Sequence, residues 1–427
     1  MEAFIQLTLF LILIILLSRA AVLLSKRFGL PAVSIQLLIG VLVGPSFLNL
    51  LGAPIILGTW GSVPPTTLHS ILKIVAEIGL IQLMFLAGLQ IDWRQLKGTL
   101  KPIFSGGGWG FLLTAAAVTV VIRLFEDRWS EALAMGAIMA ASGFGISIYN
   151  FNEMRLLGSK VSHITVGASA LSGLLAILMM IAAVALNYGV TFGLLRMVIA
   201  VSWFLGKLIM FFAIAYFLTS RFLNRVAKGG FEKRPLQMVI GYLLLVAALY
   251  AWAAMHFGSF AAVGVAALGG ALPTISNLGL REKIEGGFGA GPASLPLGFL
   301  FVVLGMEVNL REMGGSAIYL VVLFLAVMTS KLIGNWIGTR RIFWKPSERV
   351  LNVSGTLHQG EMGILIAAFL FSRGLVNPSQ FNVAISLIVI LTMLTPILLK
   401  TASYSPSPLP IAGGSDEAGR KSRNSAL

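Results

Sequence analysis

The chain contains no cysteine. That excludes disulfide scaffolds, thiolate metal sites and cysteine nucleophiles. Histidine is nearly as scarce. The four present, His69, His163, His256 and His358, fall at no metal-protease spacing. No catalytic constellation is visible, so an enzyme is not expected, and no cofactor or metal is implied. Charge is low overall: 11% of residues are charged, against about 25% in a soluble domain. Acidic residues are the scarcer sign, 16 against 31 Lys and Arg, for a formal net charge of +15. That excess does not point to nucleic acid. It lies in short clusters between apolar runs, where basic residues orient a protein in a bilayer.

What is abundant is apolar: 57% of the chain is hydrophobic and the mean hydropathy is +0.92. This predicts an all-α polytopic membrane protein of the cell membrane, with the lipid bilayer as its solvent. A membrane-crossing helix needs about 20 mostly apolar residues. By that measure we read about thirteen spans, near 3–25, 31–50, 68–91, 102–123, 130–150, 160–187, 195–224, 235–254, 257–278, 291–309, 315–339, 352–373 and 380–400. The first is read as a retained helix, because it lacks a basic leader and a small-residue cleavage site. Loop charges alternate along the chain. Lys26 and Arg27, Arg94 and Lys97, Arg155 and Lys160, Arg281 and Lys283, and Arg340 and Arg341 all fall in odd-numbered loops. The positive-inside rule then gives an N-out, C-in topology. Residues 403–427 are polar and rich in Pro, Ser and Gly, which reads as a disordered cytoplasmic tail.

A repeat runs through the sequence. "GLQIDWRQL" (88–96) resembles "GMEVNLREM" (305–313), 217 residues on. The same interval relates Arg123 to Arg340, Glu131 to Glu348 and Gly143 to Gly360. Under the expected topology the copies are inverted, which is a transporter signature with a site at broken helices near the midplane. The equivalent stretches "AASGFGISI" (140–148), which includes Ser142, and "LHQGEMGILI" (357–366) carry Gly and polar residues inside apolar spans. Gly costs about 1 kcal/mol against Ala in a helix interior, so both are predicted breaks. The same small residues would also suit close packing of unbroken helices.

Ionisable residues within spans are functional candidates by default. Lys73 and Glu77, at i and i+4, are expected to pair along one helix. Arg19, Lys207 and Glu307 lie nearer span ends. Lys331 lies well inside its span with no local acidic partner, and Glu361 lies in the second predicted break. In the sixth span Ser162, Thr165, Ser169 and Ser172 share one helix face, with His163 beside them at one end. They are either a neutral ion-coordinating lining or a packing stripe whose hydroxyls bond back to carbonyls one turn earlier.

Several stretches together resemble the monovalent cation:proton antiporters, closest to the bacterial sodium/proton and potassium-efflux exchangers. They are "GLPAVSIQLLIGVLVGPSFL" (29–48), "EIGLIQLMFLAGLQID" (77–92), "LREKIEGGFGAGPASLPLGFLFVVLGMEVNL" (280–310) and "HQGEMGILIAAFLFSRGLV" (358–376). The resemblance covers about residues 1–402 and implies an elevator-type homodimer. Two inverted bundles with crossing broken helices (about 102–187 and 315–400) would form a core that moves against a scaffold. It implies monovalent cation and proton as transported species, with Lys331 matching the family's membrane lysine and Glu361 its Gly-Glu pair. Gln359 stands where an arginine often precedes that pair. The departure is in the sixth span, where the family's aspartate-containing pair falls on Ser172 and Gly173. No Asp or Glu occurs between Glu153 and Arg196. A serine does not titrate near neutral pH, so proton coupling is expected to be weakened, or carried by Glu361, Lys331 or His163. Two alternatives remain open: an anion or small organic solute held by Lys331 and the hydroxyls, or a non-transporting sensor.

Overall fold

The computed structural model describes residues 2–28, 30–50, 65–89, 93–126, 128–156, 158–187, 295–313, 317–342 and 345–403, with isolated helical positions between 202 and 252. Apart from those positions, the expected spans at 195–224 and 235–254 lie outside the described residues, as do the span at 257–278, Lys207 and the tail beyond 403. Every regular element among the described residues is helical. The helices are α1 (Glu2–Phe28), α2 (Ala32–Val43), α3 (Pro65–Leu89), α4 (Trp93–Phe125), α5 (Trp129–Ala140) and α6 (Phe144–Glu153). They continue as α7 (Lys160–Asn187), α8 (Leu295–Met306), α9 (Ala317–Thr339), α10 (Pro346–Gly355), α11 (Gly360–Ser372) and α12 (Pro378–Ser403). Among the described residues, six segments are long and apolar enough to cross a membrane. Together with the shorter apolar helices they make this a multi-pass membrane protein.

Both predicted breaks are present. The fifth span divides into α5 and α6 around Ala141–Gly143, and the twelfth into α10 and α11 around residues 356–359. Neither break contains proline. Ala141 turns extended (ψ 150°), which ends α5. The second break restarts at Gly360, whose φ of +58° lies in the left-handed region that only glycine enters without strain. The 217-residue interval recurs in the element bounds. Trp129 and Pro346 begin α5 and α10, and Lys160 opens α7 one residue before the position equivalent to Pro378 of α12.

Packing falls into two groups. The first is α1, α2, α3 and α8, with α8 pressed against α2 and α3. The second is built around α4, which packs on α5, α7 and α9. Small residues set that closeness: a side chain at Gly334 of α9 would meet the Trp109 carbonyl of α4 at 2.6 Å. Without water to drive association, such van der Waals contact between backbones holds membrane helices together. The groups touch through α2 with α12 and α3 with α6. There Ser34 Oγ donates to the Met393 carbonyl at 2.8 Å.

One expected pair is different. Lys73 does not rely on Glu77 along its own helix; its Nζ lies 3.2 Å from Glu307 Oε2, just past the end of α8. A pair between neighbouring helices removes Glu307, whose side chain is only 15% exposed, from its lipid-facing cost.

Candidate functional site

The two breaks meet. A Cβ on Gly143 would stand 2.9 Å from Gly360 Cα and would run into the Glu361 carboxylate. Ser142 Oγ donates to the Thr356 carbonyl at 3.1 Å, from one break to the other. Gln359 Nε2 donates to the Met139 carbonyl at the end of α5, at 3.2 Å. Each break frees backbone groups that lipid cannot satisfy, and the side chains at the junction satisfy them in complementary ways.

Lys331 serves the carbonyl ends. It projects from α9 and is 1% exposed. Its Nζ lies 2.7 Å from the Ala141 carbonyl and 3.1 Å from Ser142 Oγ. The Thr356 and His358 carbonyls follow at 3.5 and 3.4 Å. One ammonium therefore ties both breaks together within a shell of oxygens. That shell is electronegative and suits a cation, and among the described residues Lys331 meets oxygen acceptors only.

Glu361 serves the amide end. Its Oε1 accepts the Gly145 N–H at 2.8 Å and its Oε2 the Ile146 N–H at 3.3 Å. These are orphan donors of the first turn of α6, where the helix dipole also favours an anion. Glu361 is 2% exposed. It also borders a cavity of about 40 Å³ whose other walls are apolar, among them Leu83, Ile146, Phe301 and Ile364. That cavity lies where α3 and α8 face α6 and α11.

Sequence reasoning missed a polar hub beside the junction. Ser147 Oγ lies within hydrogen-bond distance of the Gly143 carbonyl (3.0 Å), Ser169 Oγ (3.0 Å), the Gly355 carbonyl (3.3 Å) and His358 Nε2 (3.1 Å). His358 is fully buried, and its Nδ1 has no hydrogen-bond partner among the described residues. The signal available was the position of His358 inside a predicted break, where a polar side chain has freed backbone to face.

The sixth-span hydroxyls are distributed. Ser169 reaches the hub. Thr165 Oγ1 donates to the Val161 carbonyl at 2.7 Å and accepts from Asn352 Nδ2 at 2.8 Å. Ser172 Oγ donates to the Gly107 carbonyl of α4 at 3.2 Å. Ser162 bonds back to the Ser159 carbonyl at 2.9 Å. His163 stays at the start of α7, with Nδ1 2.8 Å from the same carbonyl. The structure thus gathers Lys331, Glu361, Ser142 and Ser169 at or beside the junction and holds Thr165, Ser172 and His163 in other contacts. Gly173 faces the junction: a Cβ there would meet the Ser142 carbonyl at 3.4 Å and Met362 Cγ at 3.2 Å.

Known proteins share this architecture. The profile of the transmembrane sodium/hydrogen exchanger family matches residues 12–402. The Na⁺/H⁺ antiporter of Enterococcus hirae is 26% identical over 378 residues, 88% of this chain and 92% of that protein. The Na⁺/H⁺-K⁺ antiporter GerN of Bacillus cereus is 22% identical over 389 residues, 91% of this chain and 94% of its own length. Among solved structures, the sodium proton antiporter MjNhaP1 of Methanocaldococcus jannaschii at pH 8 superposes with a TM-score of 0.64 at 17% identity. That superposition covers 95% of this chain and 98% of the other, which establishes a shared fold. A family profile that matches the chain almost end to end places this protein in the sodium/hydrogen exchanger family of monovalent cation:proton antiporters.

Proposed function

We propose that this protein exchanges monovalent cations for protons at the meeting point of the two broken helices, with Glu361 as the group that cation and proton occupy in turn. The single observation behind this is Glu361 itself. It is a carboxylate at the junction that borders a cavity between the two packing groups. One group able to take either species is the physical requirement for obligatory exchange, since a carboxylate binds a cation only when the proton is off. Lys331 holds the breaks together as a tethered cation in the oxygen shell.

In this reading the assembly is an elevator-type homodimer of thirteen spans, N-out and C-in, with two inverted repeats. The second packing group is the moving core and α1, α2, α3 and α8 belong to the scaffold. The two packing groups and the recurrence of the 217-residue interval in the element bounds support it. Coupling is weaker than in an exchanger with an acid in α7. Gly173, which faces the Ser142 carbonyl, supplies no second carboxylate, so one titrating group serves both ions.

The test is reconstitution into proteoliposomes containing a pH-sensitive dye, with Na⁺, K⁺ and Li⁺ gradients imposed across a range of pH. Cation-driven proton movement should appear and fall away as pH drops, because protons then occupy Glu361. Glu361→Gln should abolish it, and Gly173→Asp should raise the number of protons moved per cation. Absence of flux for all three cations at every pH would sink the proposal. So would full exchange in Glu361→Gln.

A further inference from the structure

A second carboxylate, remote from the junction, joins the two packing groups. Glu153 is the last residue of α6, and its Oε1 accepts the N–H of Ala32, the first residue of α2, at 2.9 Å. This hydrogen bond spans 121 residues of sequence. It borders a cavity of about 340 Å³ that Lys26 and Leu30 enter from one packing group and Met154, Lys400 and Ser403 from the other. At the far end of α12 a different link joins the groups. Asn382 Oδ1 accepts the Asn309 N–H at 3.2 Å, and its Nδ2 donates to the Asn309 carbonyl at 2.7 Å. Lys400 and Asn382 are 18 residues apart on one helix, about 27 Å at 1.5 Å per residue. One end of the bundle is therefore tied by an amide pair that does not titrate. The other end is tied by a carboxylate that does.

We propose that Glu153 is a positioning residue for exchange: its ionised carboxylate clasps the N-terminus of α2 and holds core and scaffold in the arrangement seen here, and protonation releases it. This rests on the two-unit reading above. The bond uses an orphan N–H of the first turn of α2, where the helix dipole favours negative charge. A hydrogen bond to an ionised acceptor is roughly twice as strong as a neutral one. The surrounding charges are Lys400 of α12 and Lys26 of α1, with Tyr149 one turn back on α6. α2 carries no ionisable side chain. Ionisation strengthens the bond to the Ala32 N–H and protonation weakens it, so the clasp is present at alkaline pH and lost as pH falls. Core movement requires the clasp to open.

The chain lacks cysteine, so a labelled pair can be introduced cleanly. Leu30→Cys and Met154→Cys, both bordering the cavity, would carry spin labels in reconstituted full-length protein. The distance distribution between them should be narrow at alkaline pH and lengthen on acidification. In the Glu153→Gln and Glu153→Ala backgrounds it should be long at every pH. Exchange by both variants should run about fivefold faster than wild type at alkaline pH and converge with it at acid pH. A label distance that neither pH nor the variants move overturns the clasp. So does an alkaline rate in Glu153→Gln equal to wild type. If exchange persists while the distance stays fixed, the clasp fails and the exchanger reading stands. If no cation moves protons in the parent protein, that reading fails instead, and the label distance still decides whether Glu153 holds the two groups together. Glu153→Gln keeps a side-chain oxygen of the same reach, so it separates loss of charge from loss of shape.

Discussion

The two breaks are built on one plan and used differently. The first, Ala141–Gly143, is neutral: it offers the Ala141 carbonyl and the Ser142 hydroxyl. The second, at 356–359, leads into Glu361 and brings His358 and Gln359 with it. Position by position across the 217-residue interval, Phe144 stands against Glu361 and Ala141 against His358. Both halves are thus broken at the same place, although Gly143 is extended (φ −85°) where Gly360 is left-handed (φ +58°), and charge is concentrated on one side. The difference teaches that each broken end is neutralised from elsewhere. Glu361 of the second half covers the amides of α6 in the first half, and Lys331 of α9 covers carbonyls of both.

The largest expected effect comes from removing that shared ammonium. Lys331→Ala leaves the buried Ala141 and His358 carbonyls without a donor, while Thr356 keeps Ser142 Oγ, at about 1–3 kcal/mol for each one left unsatisfied. Unfolding in detergent should show a loss of several kcal/mol, and exchange should disappear. If stability were unchanged, the two breaks would not depend on a common donor. Glu361→Gln sharpens the contrast from the other side. It keeps an acceptor for Gly145 N–H, so stability should drop by only about 1 kcal/mol while exchange falls by more than tenfold. Equal losses in both assays would mean that the carboxylate is structural only.

Gly143→Ala tests the contact between the breaks themselves. Its methyl group would collide with Glu361 and Gly360, and overpacking of this kind costs about 1–3 kcal/mol. The same substitution at Gly108, where a Cβ meets nothing within 4 Å, should leave thermal stability unchanged or slightly raised. The hub is a smaller matter: Ser147→Ala removes one hydroxyl and should cost about 1 kcal/mol. Least of all, Ser172→Ala loses a single bond to the Gly107 carbonyl, and exchange should stay within about twofold of wild type. A large loss of exchange there would return the sixth-span hydroxyls to the centre of the mechanism.

The sequence made much of the junction legible. The two breaks could be read because glycine and polar residues inside an apolar run weaken a membrane helix at that point. Lys331 and Glu361 stood out because charge in lipid is costly. The lining role considered for Thr165 and Ser172 was not decided by their spacing. A shared helix face says where hydroxyls point, and only the neighbours decide whether they meet an ion path, Asn352 or the Gly107 carbonyl. The pairing of Lys73 failed for the same reason: an i, i+4 spacing permits a bond along the helix, and a partner on another helix can take precedence.

By itself the sequence determined the membrane-spanning class, the helical periodicity, the repeat interval and the positions of the rare charges. All of these follow from local composition and the cost of burying polar groups in lipid. Only the tertiary structure decided which orphaned carbonyls Lys331 covers, which amides Glu361 accepts and which helix Glu153 clasps. Those contacts join residues as much as 216 positions apart, and their partners are backbone groups that every residue carries, so no side-chain pattern along the chain could single them out.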